Sequence, residues 1–550
     1  MLPSRSFVRR GLVPKLLKCQ NHISKGQHRC YNPVAEHLEK QNSLAIPPLV
    51  EVKIPYWEID SDNPHTGLEI DTNWSLAPHN IAPKFDAYRN PKLEHILKTA
   101  PYGRVKGQKY LVSDQYQPTF DRFVSNSTHQ DSTPLTQTAS KYFRRMQREV
   151  AYHLSYAYNL FVMDGIVGGP NAPIRFITDN SISALFVKNL FVEPSHVQAQ
   201  KHVVKGVVFH GPGYRSTPKD VVEEFAGPTP KDLGVDNEHF LFLDEETNQV
   251  LLGGVSDTKV ILESIVNVTG RLVSQQGGVL LPSDSYITKD GKVTLVINSG
   301  ESLAQLDESK DGSLLYGAHH NVWNKNGLSR AWKGARYNVK DLKNVRDSDH
   351  IEKTQDGYVV TRANDVSQND SVLPNIVNHP SNVVFAVNDP NFVVPSLAQL
   401  SVDQFVNLFN AGLVSTSKKD AKFSESLASS DNFSAFGHSG VQAKRLRSLL
   451  EESKAKLYVI NTASERKDLD NALQSINNES KLTQGDAGKL WTELQGEGVK
   501  KQQSKNQEKR TSALKSLEDL VSKKVAALEP APEEPVSEES GEPQIDIKQA

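Results

Sequence analysis

Between residues 140 and 462, short Val-rich runs alternate with stretches whose apolar residues recur every three or four positions. "KVTLVIN", "NVVFAVN" and "KLYVINT" are of the first kind. "SKYFRRMQREVAYHL" is of the second, with Phe143, Met146, Val150 and Leu154 along one side. A run of β-branched residues suits a strand buried on both faces. A helix with one apolar stripe needs a neighbour to cover it. Strands alternating with covering helices predict an α/β chain with mixed sheets at its core.

The same reading places the other elements. "NLFVMDG" predicts a strand ending in a Gly-containing turn, and "HVVKGVVFHGPG" a strand ending at a Gly/Pro turn. "SISALFVKNLFV" predicts a helix, and "HFLFLDEETNQVLLGG" a hairpin around Glu245–Asn248. "TKVILESIVNVTGRLVSQQGG" predicts an amphipathic helix stopped at Gly277 and Gly278. Ser401 is placed to cap the helix that follows it. Arg144, Arg145 and Arg148 are expected to face solvent.

Composition limits the partners. The 550 residues carry 63 Lys and Arg against 65 Asp and Glu, so no global charge argues for nucleic acid or a membrane. The two cysteines, Cys19 and Cys30, match no zinc spacing and no disulfide framework. No apolar run approaches eighteen residues. Residues 1–35 are different: seven Lys or Arg and no acid. Arg9, Arg10, Lys15 and Lys18 interleave with Phe7, Val8, Leu12, Leu16 and Leu17. That is the pattern of a mitochondrial presequence, and it predicts a matrix location. A basic tail with RNA or membrane affinity is the alternative.

The chain divides into residues 1–35 (presequence), 36–95 (irregular, Pro- and Asn-rich), 96–285 and 286–463 (two α/β domains), 464–528 (charged helical extension) and 529–550 (acidic, Pro-rich tail). In the extension Leu514, Leu517, Leu520 and Val521 make a narrow apolar face, expected on a surface or against a partner. The tail is too polar to drive its own ordering.

One segment raises a question of chemistry. "VTLVINSGESLAQ", Val293–Gln305, has the outline of a strand feeding a phosphate-binding loop. Yet it lacks the Lys and Thr that a nucleotide's phosphates and metal would want. Around it lie "NLFVMDG" with "PIRFITDNSISALFVKNLF", "HPSNVVFAVNDPNFVVPSLAQLSVDQ" at His379–Gln404, and "FSAFG" at Phe433–Gly437 before "LYVINT". In that order and spacing they resemble ATP-type phosphoenolpyruvate carboxykinase over about residues 95–462. The resemblance implies a two-domain fold, with an N-terminal domain and a C-terminal nucleotide-binding domain. It also implies conversion of oxaloacetate and ATP to phosphoenolpyruvate, CO₂ and ADP, with a catalytic metal such as Mn²⁺.

Carried over position by position, the family's residues are mostly replaced. The phosphate-loop Lys falls on Ala304 and its Thr on Gln305. Gly300 stands where the family tends to have Ser, and Glu301 adds a negative charge where polyphosphate would lie. The metal-ligand Lys falls on Val260, beside Lys259, and the ligand His near Ser283. "GAHHNVW" replaces an acidic motif whose aspartates fall on Ala318 and His319. One substrate arginine is kept as Arg104 in "YGRVKG". A second falls on Asp370, whose carboxylate would repel a dicarboxylate. The late Gly-Trp-x-Gly-Gly stretch is missing, since "INT" runs into "ASERKDLD".

These replacements lead to the expectation that the chain is not an enzyme and takes no cofactor or metal. It would be a matrix scaffold, with the mitochondrial ribosome or a respiratory-assembly complex as partner. The alternative is an enzyme or sensor of altered chemistry that binds an organic acid or nucleotide, with Arg104 holding the anion. His210, His319, His320 and His438 are weighed as a zinc set, but adjacent histidines point two ways. Asp164 and Asp179 are weighed as acid–base groups and read as turn or cap residues. RNA contact through Lys500, Lys501, Lys505, Lys509 and Arg510 is a weaker alternative, since that stretch has no interleaved aromatics.

Overall fold

The computed structural model describes residues 75–100, 140–167, 172–194, 203–214, 239–297, 320–338, 376–411 and 439–495, with short gaps inside some of these and isolated strands and helical turns elsewhere. Two mixed sheets organise them, as the Val-rich alternation predicts.

The first sheet has eight strands: β1 Asp86–Arg89, β2 Asp121–Ser125, β3 Thr136–Thr138, β4 Asn159–Ile166, β5 Pro173–Thr178, β6 Gly206–Gly211, β7 Phe240–Asp244 and β8 Gln249–Gly253. Their order is β1-β4-β5-β6-β8-β7-β2-β3. Helix α1, Leu93–Thr99, follows β1. Helix α2, Ser140–Ser155, lays Phe143, Met146, Val150 and Leu154 on one face of the sheet, against Leu160, Val162, Phe209 and Phe242. Helices α3, Ser181–Leu190, and α4, Thr258–Gln275, cover the other face, against Phe161, Met163, Ile174 and Phe176. Alternate residues along β4 thus feed two separate cores, as the two-residue strand period requires.

Capping follows the residues. Asn180 accepts from the Ser183 amide at the start of α3, and Asp257 from the Lys259 amide at the start of α4. Gly277 closes α4 in a left-handed conformation, with φ +80°. This helix is less amphipathic than expected. Its polar Ser264, Asn267 and Thr269 are buried as well, and each donates to a carbonyl of the helix itself. A second difference is at Gly165. The strand β4 runs through Asp164 and Gly165 to Ile166 instead of turning. A Cβ on Gly165 would lie 2.4 Å from the Phe191 ring, so glycine here serves packing.

The second sheet has eleven strands: β9 Val279–Thr288, β10 Val293–Ile297, β11 Gly312–Leu315, β12 His320–Asn324, β13 Gly327–Arg330, β14 Ile376–Val377, β15 Asn382–Val387, β16 Leu397–Leu400, β17 Lys456–Asn461, β18 Thr483–Ala487 and β19 Thr492–Gln495. The order is β14-β13-β12-β9-β10-β15-β17-β16-β19-β18, with β11 also on β9. Helices α5, Val402–Ala411, and α6, Ser439–Ser453, cover one face. Ser401 and Gln404 cap α5 reciprocally, the Gln404 amide donating to the Ser401 hydroxyl and the Ser401 amide to Oε1 of Gln404.

The segment after residue 463 departs from the expected helical extension. Helix α7, Arg466–Asn477, packs Leu469, Ala472, Leu473 and Ile476 onto the second face of this sheet, and β18 and β19 extend its edge. Leu517 and Val521, expected on a surface or against a partner, are buried in the same protein's second core. That core offers its own apolar surface nearby, and a narrow stripe suffices to reach it.

A buried ion cluster ties the first sheet together. Asp164 on β4 lies directly opposite Arg175 on β5, and Arg89 reaches it from β1. Arg175 Nε donates to Asp164 Oδ1 at 2.7 Å, and Arg89 Nε to Oδ2 at 2.9 Å. Arg175 Nη1 also donates to the Ser75 carbonyl. Asp164 is a cross-strand tie, and so not the turn or cap residue expected. Replacing it by Asn leaves two guanidiniums in a site closed to water. Loss of about 3–5 kcal/mol is expected in urea unfolding, with Arg175→Ala similarly costly.

Candidate functional site

The resemblance-derived positions fall partly inside the described residues. Val260 sits in the first turn of α4, packed in the core of the first sheet at 6% exposure. The neighbouring Lys259 is exposed. Ser283, on β9, is fully buried. Its hydroxyl donates to the Leu281 carbonyl at 3.2 Å and accepts from Nδ2 of Asn321 at 3.1 Å. The same Asn321 amide donates to the Ser283 carbonyl at 2.7 Å. Both positions are therefore held by packing and framework hydrogen bonds. Arg104, Ala304, Gln305, Ala318, His319 and Asp370 lie outside the described residues, as do Gly300 and Glu301.

The histidines weighed as a zinc set do not meet. His210 is on β6 of the first sheet and His320 on β12 of the second, while His319 and His438 are outside the described residues. Among the described residues no three His, Cys, Asp or Glu side chains gather to hold a metal. His210 has a structural task. Its Nδ1 pairs with the Thr178 hydroxyl at 2.8 Å and its Nε2 with the Val255 carbonyl at 2.7 Å. A carbonyl only accepts, so Nε2 carries the proton and Nδ1 accepts from Thr178. Burial holds its pKa down at about 4. His79 is also lowered to about 4, first by burial and then by the Arg175 charge.

A cleft with several chemical groups lies elsewhere. At the carboxyl ends of β5 and β6 a cleft of about 500 Å³ is lined by Thr99, Glu149, His153, Asp179, Ser181 and Tyr214. Tyr152, Tyr156 and Tyr158 form its outer wall. Ligands favour such strand ends in α/β sheets. His153, in the last turn of α2, meets Asp179 Oδ2 through Nε2 at 2.8 Å. Asp179 Oδ1 has no hydrogen-bond partner among the described residues. The Gly211–Gly213 turn closes over the pair, and a Cβ at Gly211 would come within 3.2 Å of the His153 ring. Behind it, Tyr214 donates to Glu149 at 2.8 Å, and Arg145 holds the other Glu149 oxygen at 3.1 Å. A carboxylate that fixes one imidazole nitrogen can orient the other for proton transfer. The sequence carries no local sign of this pair, whose members are 26 residues apart. Asp179, read as a turn or cap residue, adjoins the true cap Asn180.

Comparison with known proteins then bears on the family. A phosphoenolpyruvate carboxykinase (ATP) of Brevibacillus brevis is 25% identical over 360 residues, 58% of this chain and 64% of that protein. One from Moorella thermoacetica is 25% identical over 307 residues, 50% of this chain and 55% of its own length. One from Bacillus mycoides is 21% identical over 341 residues, 57% and 61% of the two chains. The chain is phosphoenolpyruvate carboxykinase-like. No protein-family model matches it. It spans somewhat under two thirds of the length of these relatives. The two-sheet α/β architecture agrees with the two-domain fold that the resemblance implies. One expectation is overturned. The chain was expected not to be an enzyme, but the relatives are all named as ATP-dependent enzymes, and that points to an enzyme.

The two lowered histidines give a pH prediction. In the unfolded chain both would bind a proton near pH 6.5, and in the fold only near 4. The unfolded state therefore holds more protons across that window, and stability falls as pH drops from 6.5 towards 4. Each contributes on the order of 3 kcal/mol above the window, and neither adds further loss below pH 4. Urea midpoints measured between pH 7 and 4 should decline, and His210→Gln should flatten the decline by about half.

Proposed function

We propose that the chain works in the mitochondrial matrix as a structural subunit of a large assembly, on a carboxykinase-like framework. The mitochondrial ribosome and a respiratory-assembly complex are the two partners this reading names. What carries it is Val260: a position that the resemblance gives to a metal ligand is occupied by a side chain of the apolar core. Ser283, tied to Asn321, supports the same reading. The basic, acid-free residues 1–35 support the location. Since the relatives are enzymes, the assembly role is an addition to that ancestry.

A second reading rests on the cleft. The oriented His153–Asp179 pair suits an enzyme or sensor whose chemistry differs from that of the relatives, taking an organic acid or a nucleotide. Two measurements separate the readings. The tagged protein is run on a sucrose gradient of mitochondrial lysate at low salt, and sedimentation far beyond its own 61.0 kDa is expected. Migration only at monomer or dimer size removes the assembly reading. Calorimetry with ATP and Mn²⁺, GTP, oxaloacetate and phosphoenolpyruvate tests the second, which no heat at millimolar ligand would end.

A further inference from the structure

Helix α2 carries an exposed line that neither reading uses. Arg144, Arg148 and Tyr152, with Tyr156 just past the helix end, follow one another at four-residue spacing, and all four are exposed. Neither arginine has an acidic partner among the described residues; Arg145, off the line, is the one that holds Glu149. Tyr152 and Tyr156 stack with ring centroids 4.8 Å apart, at 62% and 48% exposure. Beyond them Tyr158, 77% exposed, stacks on Phe85 at 4.7 Å, and Lys84 next to it is exposed. Four exposed rings thus form one strip, with guanidiniums at one end and an ammonium at the other.

Three acids lie near the strip, and one of them, Asp179, is paired with His153. Glu149 is occupied by Arg145 and Tyr214, and Asp86 accepts from the Tyr88 hydroxyl at 3.3 Å. The strip therefore keeps an excess of positive charge. Its period matters as well. Four helical residues rise about 6 Å, close to the spacing between successive nucleotides in an extended strand. Cations that track a phosphate backbone beside rings that take base faces are the elements of single-strand recognition. The aromatic wall also lines the mouth of the cleft.

We propose that this strip binds single-stranded RNA, with phosphates on Arg144, Arg148 and Lys84 and bases on Tyr152, Tyr156 and Tyr158. It is a different surface from the Lys-rich segment at residues 500–510, which lies outside the described residues. The proposal stands apart from both readings of function above.

The test is fluorescence anisotropy of labelled 12-nucleotide oligouridine with the full chain at 50 to 200 mM salt. Saturable binding is expected. Tyr152→Ala should weaken it about tenfold, whereas Tyr152→Phe, which keeps the ring face, should stay within about threefold. Arg148→Ala should lower the slope of log affinity against log salt by about 0.7. Lys325→Ala, at an exposed turn of the second sheet, serves as the charge control and should change nothing. All three substituted side chains are exposed, so unchanged thermal midpoints verify folding. The proposal is overturned by absence of binding at 50 mM salt. It is equally overturned if the α2 variants bind like the parent chain or if Lys325→Ala weakens binding as much as Arg148→Ala. The strip would then be left to a protein partner.

Discussion

The second half of the molecule depends on one strand. β9 leaves the end of α4 through Gly277 and pairs with β10, β11 and β12. Its side chains alternate between two cores. Leu280 packs with the first sheet's helices, while Val279 and Leu281 pack in the core under α5 and α6. A helix buried on nearly all sides thus delivers a strand that is also buried on both faces. The left-handed turn between them is what lets the chain reverse without a long linker. The two sheets therefore share apolar packing instead of meeting across a polar surface.

Three of the polar groups buried in that framework are answered by partners on other elements. Asp164 takes two guanidiniums, His210 takes a hydroxyl and a carbonyl, and Asn321 satisfies Ser283. Each arrangement crosses between elements and so fixes register as well as satisfying a charge or dipole. The ion cluster is the costliest to break, because no water can replace the lost partner. The imidazoles are the softest, because protonation alone defeats them.

The residues made much of this legible. Val-rich runs such as "NVVFAVN" and "KLYVINT" became central parallel strands, and Phe143, Met146, Val150 and Leu154 became the buried side of α2. Ser401 capped α5 as its hydroxyl allows. What the pattern missed was set by tertiary neighbours. Gly165 looked like a turn because glycine usually frees the backbone; here it makes room for Phe191. Asp164 looked like a turn residue because its two arginines are distant in sequence. Residues 466–495 looked like a polar extension, because only Leu469, Ala472, Leu473 and Ile476 mark the face that the sheet needed. The His153–Asp179 pair depends on where α2 ends relative to β5 and β6, and no local spacing encodes that.

Val260 shows what a branched apolar residue contributes in the first turn of a buried helix. A lysine in the first turn of α4 would bring an ammonium into the apolar surroundings that now hold Val260. It would also stand near the positive end of the helix. Burial and the helix would both push such a lysine towards its neutral form, the form that can donate electrons to a metal. Valine brings no charge into those surroundings. Burying the branched side chain contributes on its own, roughly 1.5–3 kcal/mol relative to exposure. In the first sheet polar groups gather at the cleft between α2 and α3, where Asp179 keeps one buried oxygen unanswered among the described residues.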